Sequence, residues 1–403
     1  MNESSLSTPP ARGAWRSPVI LDDLTADLIW PRLLKAGSLS LRPSRLFLAF
    51  FYLIGVAAMV AIAGSLDGVE GNALALAGEE WLGHLAGLIN SCASMDAAGI
   101  GRALTGIFVG TAWNLLVAHP VIAVVFLPLL QIWTTLMGGA ISRMIAMDFA
   151  QGVGLSWPEG LGYAIGRWSS FAGSVLGPLA LMYAILLAMA VGGWAMFNVP
   201  ILNILGGALW VLFLIGAAVV TVIMLAMTLG GPMLVPAVAC EGTDAIDAVQ
   251  HAYSYVFAKP LRLLVYIAIL AAQFFLVALV VAAVVWLIVN IAQTAAATWV
   301  GAAGTRVIAG EAGLEGVDAA AAAAVRLWTA IPILLGSAFA VSYFWSAATV
   351  LYLAMRRICD GQDISEVWVD TVVPGTMAER RSAPRSGSAP AGSIEDNGPA
   401  DET

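Results

Sequence analysis

Charge is what this chain has least of. Asp, Glu, Lys and Arg make up 11% of its 403 residues, where a water-soluble domain carries about 25%. Only two lysines occur, Lys35 and Lys259, and the net charge is -8. With no cluster of Lys and Arg, no nucleic-acid partner is expected. The three cysteines, Cys92, Cys240 and Cys359, are widely spaced and share no zinc-like spacing with His84, His119 or His251. Neither a disulfide framework nor a metal site is expected, and each thiol reads as free. No H-E-x-x-H or G-x-x-x-x-G-K-[ST] occurs, which removes the ligands of a zinc protease and the phosphate cradle of a P-loop. The one histidine near enough to membrane depth to serve a serine as base, His119, reads as a satisfied boundary residue beside Pro120. No catalytic residue and no cofactor are therefore expected, and the chain reads as non-enzymatic.

Hydrophobic residues are what it has, at 60%, with a mean hydropathy of +0.88. That fraction excludes a disordered chain, and 41 glycines without a fixed period exclude a collagen. Windows lacking all four charged residue types run from Leu46 to Leu66, Ala103 to Ser142, Trp168 to Cys240, Leu263 to Thr305 and Leu327 to Met355. A helix needs about 20 apolar residues to cross the hydrocarbon core, and a charge at its centre costs about 2.5–3.5 kcal/mol on insertion scales. The window from Trp168 must fold back, and Gly192-Gly193 through Asn198, Pro200 and Gly206-Gly207 supplies turn formers. The fold class expected is all-α, a polytopic transmembrane helical bundle of about six spans with interfacial amphipathic helices. The spans lie near 47–64, 120–142, 170–192, 206–229, 264–290 and 327–354, within a domain of residues 47–355. The segment from Gly101 to Ala118, bordered by Arg102 and His119, reads as interfacial.

Six spans put both ends of 47–355 on one side. Arg12, Arg16, Arg32, Lys35, Arg42, Arg45, Arg143, Arg167, Lys259, Arg262, Arg356, Arg357, Arg380, Arg381 and Arg385 then share that side, against Arg102, Arg306 and Arg326 opposite. The positive-inside rule makes the basic side, with both termini, cytoplasmic. Residues 1–46 read as a cytoplasmic segment with an interfacial helix carrying Leu24, Leu28 and Leu33, too long a polar lead for a cleaved signal peptide. The acidic loop 65–100 lies outside, as does 292–326, where Asp318 is expected to cap the last helix. Residues 356–403 form a cytoplasmic tail whose Pro/Ser/Gly-rich part, from about 374, is expected to be disordered.

Two cytoplasmic connections share a plan. Each follows a double glycine, Gly138-Gly139 or Gly230-Gly231. Each opens a helix with a capping pattern, Ser156 to Glu159 or Asp244 to Asp247, and continues through aromatic residues. Duplication and convergent membrane-surface composition both account for this. Glu159, Arg167, Asp244, Asp247, Lys259 and Arg262 form the candidate interaction surface. It suits a cytoplasmic protein, a second copy of the chain, or lipid headgroups and water. Ala338, Ser342 and Ser346, at four-residue spacing, read as a stripe for close helix packing.

The stretch GTDAIDAVQHAYSYVFAKPLRLLVY, Gly242 to Tyr266, resembles a surface helix entering a span in a family of uncharacterised bacterial membrane proteins. That family is related to the membrane domain fused to glycerophosphodiester phosphodiesterases. LIWPRLLKAGSLSLRPSR, Leu28 to Arg45, and SYFWSAATVLYLAMRRICDGQDISEVWVD, Ser342 to Asp370, are similar to planctomycete-type inner-membrane proteins. The resemblance implies a six-span bundle in a bacterial cytoplasmic membrane and no activity. The role expected is structural or envelope-associated; the alternative is a permease subunit whose ATPase is a separate chain.

Overall fold

The charge-free windows become helices that outrun the bilayer. The computed structural model describes residues 30–67, 72–198 and 201–368. Expectations for residues 1–29 and for the tail beyond 368 lie outside the described residues, as do Glu70 and Pro200. Helices α1 (Trp30–Leu33) and α2 (Lys35–Ser40) lead into α3 (Pro43–Asp67). Next come α4 (Ala73–Ala93) and α5 (Ala97–Thr105), a π turn (Gly106–Gly110), α6 (Thr111–Ala118) and α7 (Pro120–Gln151). Then follow α8 (Trp157–Gly166), α9 (Trp168–Phe197), α10 (Leu202–Ala208) and α11 (Trp210–Glu241). The chain continues through α12 (Ala245–Ala258), α13 (Pro260–Ala297), α14 (Ala302–Ile308) and α15 (Gly316–Asp360). The architecture is the expected helical membrane bundle.

Helices α7 and α11 have 32 residues each, α13 has 38 and α15 has 45. At 1.5 Å per residue even the 32-residue helices reach about 48 Å, against a hydrocarbon core of about 30 Å. The surplus is used at one end. There α7 is buried from Met137 to Asp148, α11 from Met233 to Cys240 and α15 from Ala348 to Arg356, all in one core with Leu48 of α3, Ala164 of α8 and Tyr255 of α12. Close approach makes this core dense. A Cβ on Gly138 would overlap the Trp345 ring, and one on Gly139 would crowd Phe171. The stripe of Ala338, Ser342 and Ser346 is fully buried, with Ser342 Oγ donating to the Ser40 carbonyl at 2.8 Å. Away from this core, α7, α9, α11 and α13 leave Val121, Val124, Leu187, Trp194, Leu212 and Leu276 exposed. Such faces suit lipid, which solvates them as well as protein does.

Seven described stretches are long and apolar enough to cross a membrane. Six overlap the stretches read as spans, the one read near 206–229 beginning at Trp210. The seventh, Ala97–Ala118, is the stretch read as interfacial; it forms α5, the π turn and α6. It folds back on α4, with Asn114 Nδ2 donating to Glu80 Oε1 at 2.9 Å. Leu115 packs with Ile122, Ala123 and Phe126 of α7, while Leu104 packs with Met182 and Val220. This hairpin thus lies against the half of the bundle remote from the buried core. Much of the supposed acidic loop 65–100 is the regular helix α4, with Asn72 Oδ1 capping Ala75 N.

Two boundaries differ from the sequence reading. Gly192-Gly193 stays helical and the chain turns after Phe197, because a lipid-facing backbone is satisfied best by continuing the helix. Helix α15 begins with Glu315 as its N-cap, so Asp318 sits in the first turn, where its charge still suits the helix dipole. Pro128, Pro178 and Pro332 lie inside helices, as do Pro232 and Pro236 in α11. The two connections do share a build. Helices α7 and α11 each stop at a left-handed glycine, Gly152 (φ 67°) and Gly242 (φ 63°), as the Cβ-free C′ position allows. A short surface helix follows each, and one residue, Arg167 or Lys259, separates it from the next long helix.

Candidate functional site

Arg45 stands in the first turn of α3 and Asp148 in the last turn of α7. Each charge opposes its own helix dipole, since an N-terminus favours anions and a C-terminus cations. Antiparallel packing resolves this by pairing them. Arg45 Nη2 donates to Asp148 Oδ2, and Arg42 Nη1 lies 2.8 Å from the same oxygen. Arg45 also donates from Nη1 to the Leu39 carbonyl and from Nη2 to the Met144 carbonyl at 3.3 Å. The Arg45 side chain is 2% exposed, Asp148 5% and Arg42 52%. Beside the triad a cleft of about 320 Å³ is lined by Arg42, Ser44, Arg45, Met144, Gly154 and Ser156.

A second cluster forms around Glu241, the last residue of α11. Tyr352 Oη donates to Glu241 Oε1, Arg356 Nη1 lies 3.8 Å from that oxygen, and His251 Nδ1 lies 3.1 Å from Oε2. Tyr255 Oη donates to Asp360 Oδ2, with its ring 5.8 Å from that of Tyr352. Burial raises the Tyr255 phenol above its ordinary range, helped by the neighbouring Asp360, and pushes the Tyr253 phenol up to about 12. Arg356 Nη2 donates to the carbonyls of Asp363 and Glu366, folding the chain after α15 back onto the core. Between the clusters Arg143 donates to the Ala239 carbonyl at 2.9 Å, its guanidinium 4.4 Å from the centre of the Tyr163 ring. Among the described residues, no three His, Cys, Asp or Glu side chains are grouped to hold a metal ion.

The six residues expected from sequence all stand at this end, spread along its surface helices rather than gathered in one cluster. Glu159 accepts from Ser156 N at 2.7 Å and Ser156 Oγ at 2.8 Å, and the backbone bond first, then the hydroxyl, holds its carboxyl below the usual range. Asp244 caps α12 by accepting from Ile246 N and Asp247 N, and Asp247 occupies the first turn. Arg167 donates to the Gly242 carbonyl and lies 5.7 Å from the Tyr163 ring centre, joining the two connections. Lys259 and Arg262 stand at the corner between α12 and α13.

The sequence reading assigned Arg45, Arg143 and Arg356 to the flanks of spans as orientation markers; the structure buries all three. The helices run past the bilayer length, so the residues just outside a charge-free window fall inside the protein core. That supplies the missed signal. Arg45, Arg143, Glu241 and Arg356 are each the first charge beyond such a window, and each is bonded to another helix or chain segment. Compared with family models, curated proteins and solved structures, the chain matches none.

Proposed function

We propose that this chain is a non-catalytic, multi-pass protein of the bacterial cytoplasmic membrane with a structural or envelope-associated role. Its charged end faces the cytoplasm and offers α8 and α12 to a protein partner. The observation carrying this reading is the use made of the interior charges. Asp148 is bonded to two arginines, and Glu241 lies against a tyrosine, an arginine and a histidine, so these groups tie helix ends together. The orientation is supported by Arg42, Arg45, Arg143, Arg167, Lys259, Arg262, Arg356 and Arg357 at this end, against Arg102, Arg306 and Arg326 in the other half. The shared build of the two connections is consistent with membership of the six-span family that the sequence resembles.

Two experiments test this. A periplasm-active reporter fused after Glu311 is expected to work and one after Thr243 to be silent; the reverse pattern overturns the orientation. A photo-crosslinking residue in place of exposed Ile165 or Ile246 should trap one discrete protein species, whereas one at exposed Val124 should trap lipid. Equal labelling at all three positions removes the partner. A P-loop ATPase as the trapped species would favour the permease-subunit reading instead.

A further inference from the structure

We propose that the cleft at the start of α3 binds a phosphate oxyanion, that of a lipid headgroup phosphodiester or of free phosphate. The site combines charge, space and a helix start. Arg42 and Arg45 share one carboxylate, Asp148, so the triad carries an excess positive charge. Glu159 is the nearby acid, and its carboxylate is engaged by Ser156 at the rim. Arg45 is 2% exposed, lines the cleft and has a buried Nε without a hydrogen-bond partner. Arg42 is half exposed and lines the cleft, so its guanidinium presents charge there beside Asp148. Its Nη1 lies 3.6 Å from where a Gly154 Cβ would stand, so the absent side chain leaves the space open. Ser44, in the first turn of α3, adds a hydroxyl and the positive end of the helix dipole.

The surroundings favour a lipid. Phe47, one turn along α3, meets Trp157, the residue after Ser156, with ring centres 5.2 Å apart. Both rings are exposed, and tryptophan favours the depth of the headgroups. Phe51 and Ile54 continue the exposed apolar track along α3, a path for an acyl chain whose phosphate sits in the cleft. The inference needs only that the bundle is in a membrane; it holds whichever way the chain faces and whatever docks on α8 and α12.

The test is native mass spectrometry of the full chain in detergent with added phosphatidylglycerol or diacylglycerol of the same acyl chains, which lacks the phosphate. Wild type should retain phosphatidylglycerol about tenfold better, the scale of one charge-assisted hydrogen bond. Arg42→Gln and Gly154→Leu should each abolish that preference, the first by charge and the second by filling the cleft. Gly154 does not have a positive φ, so a side chain there is compatible with its backbone. Arg306→Gln, in the other half of the bundle, should change nothing. If millimolar inorganic phosphate displaces the lipid, the anion recognised is phosphate itself; if not, the site reads the lipid. No preference in wild type, or one that survives both cleft variants, overturns the proposal.

Discussion

Replacing Asp148 by alanine tests whether a buried ion pair holds this bundle together. Asp148 is the counter-charge of Arg45, whose side chain is 2% exposed. Removing one partner of a buried pair leaves an uncompensated charge, at a cost of about 3–5 kcal/mol. Removing Arg42, which is 52% exposed, deletes only a solvent-side bridge worth about 0–1 kcal/mol. Replacing Arg45 and Asp148 together by methionine removes both charges. The Leu39 carbonyl then loses the Arg45 donor, a cost of about 1–3 kcal/mol, partly offset by apolar packing. The expected order of loss is therefore Asp148→Ala, then the double methionine variant, then Arg42→Ala. Reversible unfolding of purified protein in mixed detergent micelles gives the three free energies on one scale. If Asp148→Ala costs no more than Arg42→Ala, or the double variant costs as much as Asp148→Ala, the charge-locking argument fails.

Other variants probe packing and the surface helices. Gly138→Ala should cost about 1–3 kcal/mol in the same assay, because the new methyl overlaps buried Trp345 and parts α7 from α15. Gly162→Ala, in the exposed interior of α8 with nothing within 4 Å, should instead stabilise by up to about 1 kcal/mol. Tyr253→Phe removes a buried hydroxyl without a partner and should be neutral or stabilising. Tyr255→Phe breaks the bond to Asp360 and should cost about 1.5–3 kcal/mol. Glu159 has a depressed folded pKa, so its stabilising effect is present above the unfolded value of about 4.3 and lost as pH falls through the folded one. The thermal midpoint of wild type should exceed that of Glu159→Gln at pH 7, by a small margin because the group is largely exposed, and the gap should narrow as pH falls below the unfolded value. A constant gap across that range would refute the linkage.

Much of the bundle is legible in the residues. Charge-free windows become the long helices because lipid penalises every ionisable group within them. Ser156 and Asp244 announce surface helices because carboxylates satisfy the free N–H groups of a helix start: Glu159 accepts from Ser156 N, and Asp244 from Ile246 N and Asp247 N. The hairpin of α4 to α6 is less legible. Its helices carry Glu79, Glu80 and His84 as well as apolar residues, and hydropathy alone does not distinguish a segment lying on the bundle from a loop.

The sequence by itself determined which segments tolerate lipid and which end of each carries positive charge, because both follow from local composition. Only the tertiary structure decided that the boundary charges are buried and which of them meet. Arg45 and Asp148 lie 103 residues apart, Tyr352 and Glu241 lie 111 apart, and no local pattern specifies such partners. Their pairing follows from the overshoot of the helices beyond the membrane, which brings helix ends together where neither lipid nor bulk water is present to solvate them.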